Sequence, residues 1–224
     1  MKNVTAIVAT ESKTLEEFSS KPIWKSLEAL SKLHSDNSFD FVIIKENKEG
    51  LSKVYNKHLK NSKYKKNILL FVHDDVELED LFLVEKLNQS PYVVTGLAGC
   101  KQIDLSKPPA WHLMSKREDQ LGEVSHTHQG NVWTSVFGPT KSRALLIDGV
   151  FIAIDVQKAM EKEIEFDEDF DFHHYDLAFC LNCNKKKATV GVVPIRIVHH
   201  GLGDSMNTPE WEKNAAKFIA KFKK

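Results

Sequence analysis

The sequence predicts an α/β fold in which a mostly parallel central sheet is flanked by helices. Short β-branched runs alternate with helical patterns, and one of those runs, "LLFVHDDVEL" from Leu69, goes four apolar residues deep before stopping on His73, Asp74 and Asp75. Polar, proton-binding side chains at the tip of a buried strand would cost several kcal/mol each, roughly, if buried unpaired. They therefore belong at an exposed strand end, where such groups do chemistry.

The strand runs are "NVTAIVA", "FDFVIIKE" from Phe39, "NILLFVH" from Asn67 and "YVVTGLAG" from Tyr92. Between them lie "PIWKSLEALSKLH", with Trp24, Leu27, Leu30 and Leu33 at helical spacing, "LSKVYNKHLKN" and "LEDLFLVEKLN". Thr14 with Glu17 reads as a capping box, and Pro22 separates that short helix from the next or opens it. Residues 100–143 show little periodicity but carry Pro108, Pro109, Trp111, His112, His126, His128 and Trp133. They are expected to form a long irregular loop region acting as a lid or binding loop, with an irregular β extension as the alternative. Beyond it, "RALLIDGVFIAIDV" returns to strand character, "EIEFDEDFDFHHYDLAFCLNC" leads into a helix, and "ATVGVVPIRIVHHGLGD" makes one or two strands ending on His199 and His200. Thr208 and Pro209 start a closing amphipathic helix with Trp211, Ala215, Phe218 and Phe222 on one face.

With 224 residues, and 31 lysines and arginines against 31 aspartates and glutamates, the chain suits one domain or a closely joined pair. It lacks the basic field of a nonspecific nucleic-acid binder. The N-terminal apolar run is too short for a signal peptide or a membrane span, and three cysteines form no secretory framework, so a cytoplasmic protein is expected.

His73 and Asp75 are two apart, so in an extended segment both reach one ion. The plainer reading makes this an N-cap cluster, with Asp75, Glu77 or Asp80 capping the next helix. His199 and His200 end another apolar strand, and Gly201 and Gly203 suggest a sharp turn after them. One of the two histidines, taken as His199, could complete a metal site begun by His73 and Asp75. Asp176 opens a helix, where its charge suits the helix dipole; the functional alternative is a general base for an acceptor hydroxyl. Trp111 and Trp133 could stack on sugar rings or pin the loop to the core. "CLNC" lies within an apolar helical pattern and reads as core. The lysines of the closing helix, Lys213, Lys217, Lys221, Lys223 and Lys224, offer either a solvated face or a peripheral contact with an acidic membrane surface.

Taken in order, His-x-Asp-Val, "GLAG" at Gly96, "IDGVFIAI", "FDEDFDFHHYD" and "VHHGLG" resemble the small glycosyltransferases related to family 2, most of all the streptomycin-biosynthesis-type branch, over about Phe39 to Asp204. The resemblance implies a GT-A, Rossmann-like fold in a single domain. Residues 1–99 would be the nucleotide-sugar-binding half and 100–224 the acceptor-binding and catalytic half. It implies a metal-dependent inverting transferase that moves a sugar from a nucleotide-diphosphate donor to a hydroxyl acceptor, such as a glycan, lipid-linked glycan or glycoprotein. The family's aspartate-x-aspartate falls on His73, Asp74 and Asp75, and its catalytic acidic pair falls on Tyr175 and Asp176, with Asp176 the base. Asp148, followed by Gly149, matches the wall between donor sugar and acceptor, although Asp148 also suits a plain turn. Asn56 in "YNKHL" lies on the helix beside the donor pocket, Asp74 joins the nucleotide contacts, and His174 in "HHYD" joins the sugar contacts. An imidazole in the metal motif favours Mn2+ over Mg2+. A metal-dependent hydrolase and a noncatalytic nucleotide-sugar-binding scaffold are the alternatives, the latter because His73 and Ala178 stand where acidic residues are usual.

Overall fold

A computed structural model of the chain describes residues 1–201, 206 and 208–223; Gly203, Asp204 and Lys224 therefore lie outside the described residues. In chain order the elements are β1 (Val4–Ala9), α1 (Leu15–Ser19), α2 (Pro22–Leu33), β2 (Phe39–Ile44), α3 (Leu51–Leu59), β3 (Ile68–Val72), β4 (Val76–Leu78), α4 (Leu83–Asn88), β5 (Val94–Gly96) and β6 (Ala98–Cys100). There follow α5 (Trp111–Met114), β7 (Gln120–His128), β8 (Asn131–Val136), β9 (Ser142–Ala144), β10 (Leu146–Ile147), β11 (Phe151–Asp155), α6 (Val156–Glu161), α7 (Tyr175–Lys185), β12 (Val190–Val192), β13 (Ile197–His199) and α8 (Pro209–Phe222).

Residue chemistry accounts for the helix starts. Thr14 accepts from the Glu17 amide at 3.1 Å and Glu17 reaches back to the Lys13 amide at 2.6 Å, a capping box displaced by one residue. Pro22 opens α2, whose Ile23, Leu27 and Leu30 are buried, and Thr208 caps α8 ahead of Pro209. All five residues of β3 are buried, as befits a strand covered on both faces.

The larger sheet runs β2-β1-β3-β11-β5-β12-β9. β1 pairs in parallel with β2 and β3, and β12 with β5, but β11 is antiparallel to both β3 and β5 and β9 is antiparallel to β12. The sheet is thus mixed, less parallel than the sequence suggested. Chain direction supplies the reason. β11 enters beside the carboxyl end of β3, with Phe151 opposite Val72 and the His73 amide on the Val150 carbonyl at 3.3 Å. That entry sets the preceding turn, Asp148 and Gly149, next to His73.

The second sheet, β10-β6-β7-β13-β4 with β8 paired to β7, accounts for two further differences. "YVVTGLAG" is split, β5 joining one sheet and β6 the other. Within 100–143 the β extension prevails, since β7 and β8 form an antiparallel hairpin from Glu123 opposite Val136 to His128 opposite Asn131. Irregular segments remain on either side of it.

The cysteines are buried in the core, with burial pushing the Cys180 and Cys183 thiols far up. α8 docks through Phe218 and Phe222 onto Phe170, at 6.1 and 6.4 Å between ring centres. Lys221 pairs with Asp167 and Asp169 at 2.6 and 2.8 Å, and Lys217 donates to the Asp169 carbonyl. Two lysines of the proposed membrane face are thus engaged by the protein's own acidic loop, while Lys213 and Lys223 stay exposed. Among the described residues no helix is long and apolar enough to cross a membrane.

Candidate active site

A cavity of about 480 Å³ opens at the carboxyl end of β3, lined among others by His73, Asp75, Trp111, Asp148, Asp176 and His199. Residues from distant parts of the chain meet there because strand ends and helix starts converge.

The meeting of Asp75 with His199 depends on β4, a strand of three residues that pairs antiparallel with β13 in register His199 opposite Val76. The segment after Asp75 was open to reading as a capped helix start; it is β4, and Asp80 caps the later turn by accepting from the Phe82 amide at 3.1 Å. Asp75 Oδ2 lies 3.2 Å from His199 Nε2, and the Asp75 carbonyl accepts from the His200 amide at 2.8 Å. His200 itself turns to Glu77 at 3.0 Å. Burial works against charge on both Asp75 and His199, but their mutual hydrogen bond and attraction outweigh it, lowering the aspartate pKa and raising that of the histidine. Gly201 permits this closeness, since a Cβ there would sit 2.7 Å from His199 Nε2 and 2.9 Å from Asp75 Oδ2.

His73 takes another direction. β3 ends at Val72, so strand alternation no longer governs residues 73–75. His73 Nε2 lies 3.0 Å from the Tyr175 hydroxyl, and its ring stacks on Phe172 at 6.4 Å. Among the described residues no group of three His, Cys, Asp or Glu side chains is gathered as a metal cage. The Asp75–His199 pair nevertheless fits a divalent cation, because Asp75 Oδ1 is a buried acceptor with no hydrogen-bond partner among the described residues. A hard cation held by one or two side chains commonly completes its shell with substrate phosphates and water.

Asp148 is held at both oxygens, by the Trp111 indole N–H at 2.8 Å and by the Val150 amide at 2.9 Å. Trp111 is buried, and so pins α5 to this wall as well as lining the cavity. Asp176, half-buried in the first turn of α7, is pushed up to about 7 by burial and then by the charge of Asp148, against the opposing amides of Leu177 and Gly149. Gly149 is packed so tightly that an added Cβ would lie 2.7 Å from the Tyr175 hydroxyl and 3.0 Å from Asp176 Cβ.

His174 precedes α7 with φ of 63° and is buried against Trp211 and Phe218 at 5.1 and 5.9 Å. Burial, with a smaller contribution from His173, brings it down to about 4, so its ring is neutral near pH 7. It lines the same cavity.

Other expected residues lie elsewhere. Trp133, 40% exposed on β8, stacks on His126 at 5.3 Å, and His126 meets His199 edge-on at 5.8 Å. Asp74 accepts from the Thr10 hydroxyl at 2.6 Å and pairs with Lys21 at 3.2 Å. It lines a separate cavity of about 730 Å³ with Lys48 and Lys53, and Phe172 lies on the border of both cavities. Asn56 is buried, and its amide is engaged with the Phe166 amide, the Phe166 carbonyl and Glu168 at 2.8, 3.0 and 2.8 Å. That is an anchor for the loop before α7, away from both cavities. Tyr175 was visible in the sequence only as a departure from an acidic pair; its bond to His73 had no sequence signal.

The fold thus sets an acidic pocket at the strand ends of a mixed Rossmann-like sheet. A family model described as "Glycosyltransferase like family" matches residues 18–222, and the chain belongs to that family. No curated protein matches it in sequence. Among solved structures, that of GalNAc-T7 with UDP, GalNAc and Mn2+ is similar at 10% identity and a TM-score of 0.52, over 98% of this chain and 48% of that one. S. aureus TarS 1–349 is similar at 13% identity and a TM-score of 0.49, over 99% of this chain and 65% of that one. A197 from STIV is similar at 11% identity and a TM-score of 0.44, over 88% and 82%. The chain thus spans about half of the GalNAc-T7 chain and just under two thirds of TarS 1–349.

Proposed function

We propose that this glycosyltransferase is metal-dependent and inverting, and that it moves a sugar from a nucleotide-diphosphate donor to a hydroxyl of a glycan, lipid-linked glycan or glycoprotein. The observation that carries the reading is the single pocket in which the Asp75–His199 pair, the Asp148 wall and Asp176, raised to about 7, all take part.

The nucleotide would occupy the cavity beside Asp74, where Lys21, Lys48 and Lys53 offer positive charge, and the sugar would extend past Phe172 into the main pocket. Residues 1–99 then supply the nucleotide contacts, and 100–224 the acceptor site and base. Asp75 and His199 would hold a divalent cation, for which their mixed oxygen and nitrogen donors favour Mn2+ over Mg2+; when bound it supplies positive charge to the leaving diphosphate. Asp148, fixed by Trp111, separates sugar from acceptor. Asp176 takes the proton of the acceptor hydroxyl as that oxygen bonds to the anomeric carbon and the bond to the diphosphate breaks on the opposite face. Attack from the opposite face inverts the anomeric centre. A base with a pKa near the working pH is best suited to the task. With its acceptor in the cytoplasm or at a membrane surface, the enzyme would work as a cytoplasmic or peripheral protein.

Thermal unfolding with UDP, GDP, dTDP and their sugars, each with Mn2+, Mg2+ or chelator, tests the reading, since a ligand of the native state raises its stability. One nucleotide should raise Tm only with metal, and Asp75→Ala should abolish that dependence. No shift across the panel, or release of free sugar as the only turnover, would overturn it.

A further inference from the structure

A smaller cavity of about 130 Å³ adjoins the main pocket, and Trp111, Asp148, Val150, His199 and Gly201 line both. Ala98 and Val124, both buried, and Phe137 line only the smaller one. Val124 and His126 stand two apart on β7, so their side chains share the face that meets this cavity. Phe137 packs edge-on against Trp111 at 4.9 Å, and Trp111 holds Asp148 through its indole N–H at 2.8 Å. The walls are therefore braced against one another before any ligand enters.

Size and chemistry limit what fills it. An apolar cavity of roughly 150 Å³ holds a benzene ring. A lone sugar hydroxyl would leave most of this volume empty and forfeit contacts along its walls. An acetamido group, with a nitrogen, two carbons and an oxygen, fills far more of it. Its methyl group meets Ala98, Val124 and Phe137, and its N–H meets the Asp148 carboxylate. Among the described residues each oxygen of that carboxylate accepts one hydrogen bond, and each has room for a second.

Position decides which sugar carries the group. The acceptor hydroxyl must reach Asp176, which lines the main pocket and not the side cavity. His199 and Gly201 line both, so the side cavity opens beside the pair assigned to the cation and its diphosphate. In the donor sugar, the carbon bonded to the anomeric centre is the one whose substituent lies next to that diphosphate.

We propose that the side cavity is a subsite for the 2-acetamido group of the donor sugar, so that the transferred unit is an N-acetylhexosamine. The inference rests on the reading of the main pocket as the donor-sugar site.

Calorimetric binding with Mn2+ or Mg2+ tests it, using nucleotide sugars that differ only in a 2-acetamido or a 2-hydroxyl group. Glucose is paired with N-acetylglucosamine and galactose with N-acetylgalactosamine, on each of UDP, GDP and dTDP. On the nucleotide that binds, the acetamido member of at least one pair should bind about tenfold more tightly or better, as a buried methyl group and one hydrogen bond together imply. Equal affinity within both pairs overturns the inference. Val124→Phe fills the cavity and should lower the affinity for the acetamido donor about tenfold, while free nucleotide and the 2-hydroxyl donor stay within about twofold of wild type. Val124→Ile adds one methyl group, should act in the same direction more weakly, and decides the matter where the larger ring prevents folding. A preference that survives these substitutions undiminished overturns the inference, since the acetamido group would then lie elsewhere. If no nucleotide binds the wild type, the transferase reading fails and takes this inference with it. A nucleotide that binds without any acetamido preference defeats this inference alone.

Discussion

Replacing Asp176 by asparagine should stabilise the protein, stop transfer, and stabilise it more as the pH rises. In the folded protein, burial and then Asp148 push the Asp176 carboxyl up to about 7. In the unfolded chain it titrates near ~4. The folded state therefore binds more protons than the unfolded chain between about pH 4 and about pH 7, and stability falls as pH rises through that window. Asparagine, neutral at every pH, escapes this cost. Taken in full, the shift makes the variant's advantage grow by ~2.6 kcal/mol between about pH 5 and pH 8, and water in the open pocket reduces this to the order of 1 kcal/mol. For a domain of this size that amounts to roughly 2–4 °C in Tm. Thermal unfolding of both proteins at the two pH values is the assay. The gap in Tm should widen towards the alkaline side, while transfer by the variant falls at least ~10²-fold. A gap that stays constant or narrows would refute the assignment of a destabilised carboxylate to Asp176.

The other expectations use the same geometry. Asp148→Asn removes the second cause of that shift, so the pH at which wild-type transfer reaches half its maximum should move down from about 7, read from rate profiles. Asn56→Ala strips partners from the Phe166 amide and carbonyl in the core, and should cost about 2–4 kcal/mol in denaturant unfolding while nucleotide affinity stays unchanged. Gly149→Ala brings a methyl group to 2.7 Å from the Tyr175 hydroxyl, and Tyr175 must shift. It should lose about 1–3 kcal/mol of stability, and calorimetry checks this.

Local chemistry alone determined much of this protein. The β-branched runs, the Thr14 and Thr208 caps and Pro22 place strands and helices because those preferences act within a few residues. The polar tips at His73–Asp75 and His199–His200 and the acidic start of α7 were legible for the same reason, since such groups cannot lie unpaired in a core. The order of the motifs carried the glycosyltransferase family, which the match over residues 18–222 shows, but not a particular branch of it. Pairing across the chain was decided only in three dimensions. The antiparallel insertion of β11 places Gly149 beside Tyr175, and the short ladder of β4 with β13 brings Asp75 to His199. Spacing of two residues suggested that His73 and Asp75 share an ion. In the fold both line one pocket, but His73 bonds to Tyr175 and Asp75 to His199, partners more than 100 residues away that spacing along one strand could not reveal. Asn56 gave no sequence sign of its structural role, for its partners lie about 110 residues away. Sequence fixes what a residue can bond to; only the packed fold determines which partner lies within reach.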